Sequence, residues 1–304
     1  MPVILITGAG GLIGRSLEKA LKEKSYTVRK LVRDPEKANG VDTFYWNYKE
    51  GVLESGALTD VEYIINLSGA NVSRWPWSKS YKKEIYDSRI ESTRFLRENV
   101  SAQNIPLKKF ISASGIGIYG DTGIKPVDES DPFGNDFLAR VCVDWEKEAN
   151  AFSEKQIPVC IFRIGVVLTS KGGFLPKVSL PVNYFAGTVP GSGKQIISWI
   201  GLQDLIQMMV FALDHSTVTG TFNACSSQPV TMQTMMQTIA NTRHRPLWLP
   251  NVPGWLLKGV LGEMSTVVLS GCAARNQKIK DTGFQFRFDT LTDALAAEKL
   301  SGIL

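Results

Sequence analysis

The first fourteen residues constrain this chain more than any other stretch. Val3-Ile4-Leu5-Ile6-Thr7 is an apolar, β-branched run that leads straight into Gly8-Ala9-Gly10-Gly11-Leu12-Ile13-Gly14 and then into a helical pattern over residues 12–24. Strand, glycine turn and helix in that order open a parallel sheet. Gly8, Gly11 and Gly14 form a GxxGxxG spacing. In such a loop one glycine allows the tight turn, a second lets backbone approach a pyrophosphate, and a third lets the helix pack closely on the strand. The helix N-terminus then presents unpaired N–H groups to phosphate oxygens.

The pattern continues. Strands are predicted at residues 3–7, 27–33, 63–67, 109–113 and 159–164, with helices at 12–24, 79–103 and 135–156. This predicts an α/β fold, a doubly wound parallel sheet covered on both faces, over residues 1–165. Further core elements are expected from residues 195–225, in a helix at 202–213 and a strand at 220–225. The remainder of 166–304 is predicted as a small α/β substrate lobe with a helical C-terminal extension, sitting over the sheet edge where doubly wound folds bind ligands.

The second strand ends at Val32-Arg33-Asp34-Pro35, where a dinucleotide's adenosine ribose is expected. An acid there suits the free 2′-hydroxyl of NAD, whereas an arginine suits the 2′-phosphate of NADP. Asp34 before Pro35 and Glu36 reads as a helix N-cap, which leaves Arg33 for the ribose. A charge-assisted contact of about 1.5–3 kcal/mol favours NADP by roughly 10- to 150-fold. The expected cofactor is therefore NADP.

Several function classes fall away. No apolar run reaches the roughly 18 residues of a membrane span, and no leader is visible, so a cytoplasmic chain without a membrane partner is expected. The 34 basic and 29 acidic residues give a net charge of +5, and the basic residues are scattered, which argues against nucleic acid. Cys142, Cys160, Cys225 and Cys272 show no CxxC pair and read as reduced, buried thiols. The two histidines, His215 and His244, lack ligand-spaced partners, so no metal is expected. Gly193-Lys194 is no phosphate loop, because Gln195 replaces the Ser or Thr. Trp75, Trp77, Phe174 and Trp199 are candidates to line a substrate pocket.

The glycine loop, Asn66-Leu67-Ser68-Gly69-Ala70, and Ser112-Ala113-Ser114 leading to Tyr119-Gly120 resemble the short-chain dehydrogenase/reductase superfamily in its extended, epimerase/dehydratase branch. Three further segments resemble a sugar-nucleotide epimerase-like subfamily of Rossmann-type proteins. These are Trp75 with Tyr81-Lys82-Lys83-Glu84-Ile85 and Asp87-Ser88-Arg89; Phe137-Leu138-Ala139-Arg140-Val141-Cys142 with Trp145-Glu146; and Pro253-Gly254-Trp255 through Gly283-Phe284. The resemblance covers essentially the whole chain. It implies cofactor contacts at Gly8, Gly11, Leu12, Ile13, Gly14, Val32, Arg33, Leu67, Ser68, Glu84, Arg89 and Val167.

It also implies a Ser/Tyr/Lys catalytic set, and here the chain departs. The serine position is Gly115, the tyrosine position Leu138 and the lysine position Cys142. A histidine common after the Trp-Ile pair is Gly201. The reading is an NADP-dependent oxidoreductase of unidentified small-molecule substrate, with Tyr119 and Ser114 as candidate proton sources. The alternatives are a nucleotide-sugar epimerase or dehydratase, and a non-catalytic NADP-binding sensor or scaffold. A homodimer, if formed, would use the helices at 79–103 and 135–156.

Overall fold

Ile4, Leu5 and Ile6 are each fully buried, as a strand covered on both faces requires. The structure, a computed structural model, describes residues 1–300. The chain runs β1 (Val3–Thr7), α1 (Leu12–Glu23), β2 (Thr27–Val32), β3 (Thr43–Asn47), β4 (Val52–Leu53), β5 (Val61–Asn66), α2 (Lys79–Asp87), α3 (Ile90–Ala102), β6 (Lys109–Gly115), β7 (Pro126–Val127), α4 (Phe137–Asn150) and β8 (Val159–Ile164). It continues with β9 (Val166–Leu168), α5 (Phe174–Asn183), β10 (Ile196–Ile197), β11 (Trp199–Gly201), α6 (Leu202–Asp214), β12 (Gly220–Ala224), β13 (Val230–Thr231), α7 (Met232–Thr242), α8 (Gly254–Leu261), α9 (Thr266–Leu269), β14 (Ala273–Ala274), α10 (Gln277–Asp281) and α11 (Leu291–Leu300).

The central sheet has eight strands in the order β12-β8-β6-β5-β1-β2-β3-β4. Every pair is parallel except β3–β4. This is a doubly wound, Rossmann-type sheet, and strand order reverses between β1 and β5, where such sheets open a ligand crevice. On one face α1 and α6 pack Leu17, Leu21, Leu205 and Met209 against Ile4, Ile6 and Phe162. On the other, Leu96, Val100 and Ala149 meet Leu5, Ile64 and Phe110. A separate apolar cluster joins α5, α7 and the C-terminal helix through Leu175, Met235, Ile239 and Leu295. Ile279 and Phe284, late in the chain, return to the first cluster.

Two elements differ from the sequence expectation. β3 and β4 extend the sheet beyond β2, although only a three-residue 3-10 turn, Pro35–Lys37, lies between β2 and β3. The alternating strand–helix rhythm is broken there. The helix expected over 79–103 is two helices that break at Ser88-Arg89. The Ser88 hydroxyl accepts the Ala70 N–H (2.8 Å) and donates to the Ile85 carbonyl, while Ser92 and Thr93 donate to the Ser88 and Arg89 carbonyls. Hydroxyls bonded back to carbonyls one turn earlier bend a helix. The outer faces of α3 and α4 are tied by Arg94 and Arg97 to Glu148, and Arg94 also bonds Glu91.

Candidate functional site

The β1–α1 turn is held by backbone alone. Gly8 has φ +68°, and a Cβ there would lie 2.5 Å from the Leu67 carbonyl oxygen. At Gly14 a Cβ would lie 2.5 Å from the Gly8 carbonyl oxygen. A side chain at either position would push the loop off the sheet. Gly11 is the N-cap of α1, with no side-chain cap and no acidic residue in the first turn, so the helix presents bare N–H groups. Leu67 is fixed from below: its N–H donates to Thr7 Oγ1 (3.2 Å), and Thr7 Oγ1 donates to Asn66 Oδ1 (2.7 Å).

These elements wall a cleft of about 460 Å³. Its lining includes Gly8, Gly11, Val32, Arg33, Leu67 and Ser68 among the expected residues. Sequence reading missed Lys37, Trp46, Tyr48, Gly69, Ser88 and Ser92, which line it as well. Trp46 and Tyr48 come from and just beyond β3, an element absent from the expectation. The Tyr48 hydroxyl is buried without a hydrogen-bond partner, and burial raises its pKa while Arg33 works against the rise.

At the mouth of the cleft the two candidate ribose residues are sorted. Asp34 accepts the Glu36 N–H (3.2 Å) and pairs with Lys37 Nζ (2.9 Å), which together hold its carboxyl below the ordinary range. It is occupied as the N-cap of Pro35–Lys37. Arg33, among the described residues, is exposed and pairs with no carboxylate. A bare helix start, glycine backbone, a free guanidinium and an orphaned tyrosine hydroxyl fit a ligand with a pyrophosphate and a further phosphate near Arg33.

A second cavity of about 330 Å³ adjoins the ends of β6 and α4. Gly115, Leu138 and Cys142, which the sequence reading assigned to the serine, tyrosine and lysine positions, all line it. Val72, Val141, Ile164, Val166, Ile197 and Val267 make most of the wall apolar. Burial pushes the Cys142 thiol up to about 11, against the opposing pull of Arg89, so the thiol is neutral near pH 7.

Arg89 stands at the helix break between the two spaces. It lines the second cavity, and a Cβ on Gly69, which lines the first, would lie 2.8 Å from its Cζ. Its Nη1 and Nη2 donate to the Ile85 and Ala70 carbonyls (3.0 and 3.1 Å), and its Cζ lies 5.2 Å from the Trp145 ring centroid. Burial lowers its pKa, and no carboxylate opposes that effect. A guanidinium remains charged even so, and its remaining N–H groups are available to an anion or oxyanion.

Other expected residues fall elsewhere. Leu12 packs on Gly172 and Gly173, Ile13 on the first core cluster, and Gly14 behind the loop. Glu84 on α2 and Val167 on β9 line neither space. Trp199 is wholly buried core, Trp77 packs edge-on to Phe137, Phe174 packs on the lobe cluster, and Trp75 is exposed.

Tyr119 is held in a buried network. Its hydroxyl donates to Asn223 Oδ1 (2.8 Å) and accepts from Arg163 Nη1 (2.8 Å). Burial pushes it up to about 12 although Arg163 opposes the rise. It lines neither cavity. Ser114 does line the second cavity, but its hydroxyl donates to Glu146 Oε1 (2.7 Å). Arg163, 3% exposed, bonds both Glu146 oxygens at 2.9 Å. Burial works against the Arg163 charge, and Glu146 more than restores it. One buried network thus uses both candidate proton sources. Among the described residues no group of three His, Cys, Asp or Glu could hold a metal ion, and no helix is long and apolar enough to cross a membrane.

A parallel sheet with a nucleotide-sized cleft at its switch point and an apolar cavity beside it defines a Rossmann-type dinucleotide-fold protein. The NAD dependent epimerase/dehydratase family model matches residues 4–225, and a domain of unknown function, DUF1731, matches residues 252–298. The chain belongs to the NAD dependent epimerase/dehydratase family. It is 33% identical over 295 residues to the Mycobacterium leprae epimerase family protein ML0860, covering 97% of this chain and 94% of that protein. It is 36% identical to the chloroplastic SDR39U1 homolog of Arabidopsis thaliana, covering 97% and 86%. The human epimerase family protein SDR39U1, solved with NADPH, superposes with a TM-score of 0.88 at 25% identity, covering 98% of this chain and 99% of that one. Since the plant relative is described as chloroplastic, the cytoplasmic expectation rests on the sequence reading alone.

Proposed function

We propose that this chain binds NADP(H) and is an NADP-dependent oxidoreductase acting on a small carbonyl or alcohol substrate in the second cavity. One observation carries the cofactor choice: Asp34 is consumed by its N-cap and by Lys37, whereas Arg33 faces the cleft unpaired. The similar human protein solved with NADPH supports it. Gly8, Gly11 and the α1 N-terminus would hold the pyrophosphate, Arg33 with Val32 and Tyr48 the adenosine ribose and its phosphate, and Leu67 and Ser68 the path toward the second cavity.

A nicotinamide, when bound, supplies or accepts the hydride. The chain's part is binding, orientation and charge. Arg89, with N–H groups to spare, is placed to stabilise the oxyanion that forms at a reduced carbonyl. Ser114 directs its own proton at Glu146 and so offers the substrate lone pairs rather than a proton; the proton that completes an alcohol comes from water. Leu138 and Cys142 shape the cavity without acid–base chemistry. Nucleotide-sugar epimerisation is disfavoured, because its tyrosine and lysine positions hold these two residues.

The non-catalytic sensor keeps one observation in its favour, the engagement of Ser114 and Tyr119 in a structural network. Single-turnover absorbance of NADPH at high protein concentration, with a panel of aldehydes, ketones and quinones, separates the two. Oxidation of the bound cofactor by any member supports the oxidoreductase. Tight NADPH binding with no turnover across the panel supports the sensor.

A further inference from the structure

The C-terminal lobe carries a surface that the cofactor site does not use. None of the eight residues of α8 is buried, although its sequence is Gly-Trp-Leu-Leu-Lys-Gly-Val-Leu. Trp255 is 74% exposed and Val260 59%, with Leu256 also exposed. Exposed Trp75 joins them, its Nε1 donating to the Val260 carbonyl (3.2 Å). A second exposed aromatic group lies at the end of α5. There the Trp248 Nε1 donates to the Phe185 carbonyl (3.1 Å), and the Arg245 guanidinium lies 4.6 Å from the Phe185 ring centroid. Asn251–Pro253 links the two groups, Val252 bonding the backbone at Val189 and Gly191.

Charge on the stretch that carries these groups is one-sided. Residues 171–262 contain six Lys and Arg against two acids, Asp204 and Asp214. Asp204 is buried and accepts the Arg287 and Phe288 N–H groups, and Asp214 pairs with Lys24, so both belong to α6 and the main sheet. Lys177, Lys194 and Lys258 are exposed. The nearest acid beyond the segment, Glu263, pairs with Lys82.

An exposed tryptophan on an apolar helix, with Trp75 and Trp248 exposed beside it and an excess of cations over acids in the segment, matches the interface of an anionic lipid bilayer. We propose that this lobe docks on anionic membrane surfaces, α8 lying in the headgroup layer and Lys258, Lys177 and Arg245 contacting lipid phosphates. The expectation of no membrane partner rested on the lack of a spanning segment, and a surface contact needs none. Docking also brings α9, whose Thr266 and Val267 line the apolar cavity, close to the lipid. The proposal stands apart from the cofactor assignment.

Co-sedimentation of the full chain with vesicles of phosphatidylcholine alone, or with one-third phosphatidylglycerol, tests it. Binding is expected to the anionic vesicles only, to weaken with salt, and to fall at least tenfold in a Trp255→Glu/Val260→Glu variant and severalfold in Lys258→Glu. Because these side chains are exposed, the variants should melt with the wild type and keep its NADPH-induced thermal shift. Absence of binding to anionic vesicles overturns the proposal, as does undiminished binding by the double variant. A stable dimer that the same substitutions dissociate, without vesicle binding, makes a second copy the occupant and equally overturns it.

Discussion

Removing both partners of the Arg163–Glu146 pair should cost clearly less than the two single removals added together. Arg163 is buried, meets both oxygens of Glu146 at 2.9 Å, and spends a third bond on Tyr119. Glu146→Gln leaves the shape and takes the counter-charge, so the guanidinium stays buried without compensation, at about 3–5 kcal/mol. Arg163→Met strands the carboxylate at a similar cost. The double variant Glu146→Gln/Arg163→Met removes both charges; the amide oxygen still accepts from Ser114, while the amide and the Tyr119 hydroxyl each lose the guanidinium, at about 1–3 kcal/mol each. Tyr119 keeps Asn223, so the double variant should cost less than the sum of the single changes by about 2–3 kcal/mol. Urea unfolding followed by tryptophan fluorescence supplies the four free energies. Single variants that each cost less than about 1 kcal/mol, or strict additivity, would refute the reasoning.

Gly69→Ala places a methyl 2.8 Å from the Arg89 Cζ. The end of that side chain can swing aside, so stability should fall by less than about 1 kcal/mol while NADPH affinity or turnover drops at least tenfold; calorimetry and single-turnover absorbance report both. All four cysteines are buried with raised pKa, Cys142 and Cys272 at about 11 and Cys160 at about 12. A thiol-reactive disulfide reagent should therefore count no thiols in the native protein at pH 7.5 and four in urea, and one fast native thiol would contradict this. The same shifts set a pH dependence. The unfolded chain gives up thiol protons near its ordinary value of 9, before the folded chain does. Stability is thus full below about pH 9 and declines as pH rises toward 11; an unchanged urea midpoint between pH 7 and 10 would contradict the assignment.

Much of the cofactor cleft was legible because its chemistry is local. A glycine triplet between a strand and a helix, and an Asp-Pro pair that consumes its own carboxylate, need no tertiary information. Tyr48 and Trp46 were out of reach because β3 follows β2 without the helix that marks a parallel crossover. The break at Ser88-Arg89 lies in serines and threonines that read as one polar helix face until their carbonyl bonds are seen. Tyr119 and Ser114 sit at the expected edge of the sheet, yet sequence does not tell which way a hydroxyl points. Their partners Glu146, Arg163 and Asn223 are 32 to 104 residues away. Gly115, Leu138 and Cys142, by contrast, were singled out by spacing alone, and all three line one cavity.

The central claim is that Arg33, not Asp34, reads the adenosine ribose. Titration calorimetry of wild type and Arg33→Ala with NADPH and NADH tests it most directly. The account predicts that wild type prefers NADPH by roughly 10- to 150-fold and that Arg33→Ala abolishes the preference by weakening NADPH alone. Equal affinity for the two cofactors in the wild type, or a preference that survives Arg33→Ala, would contradict it.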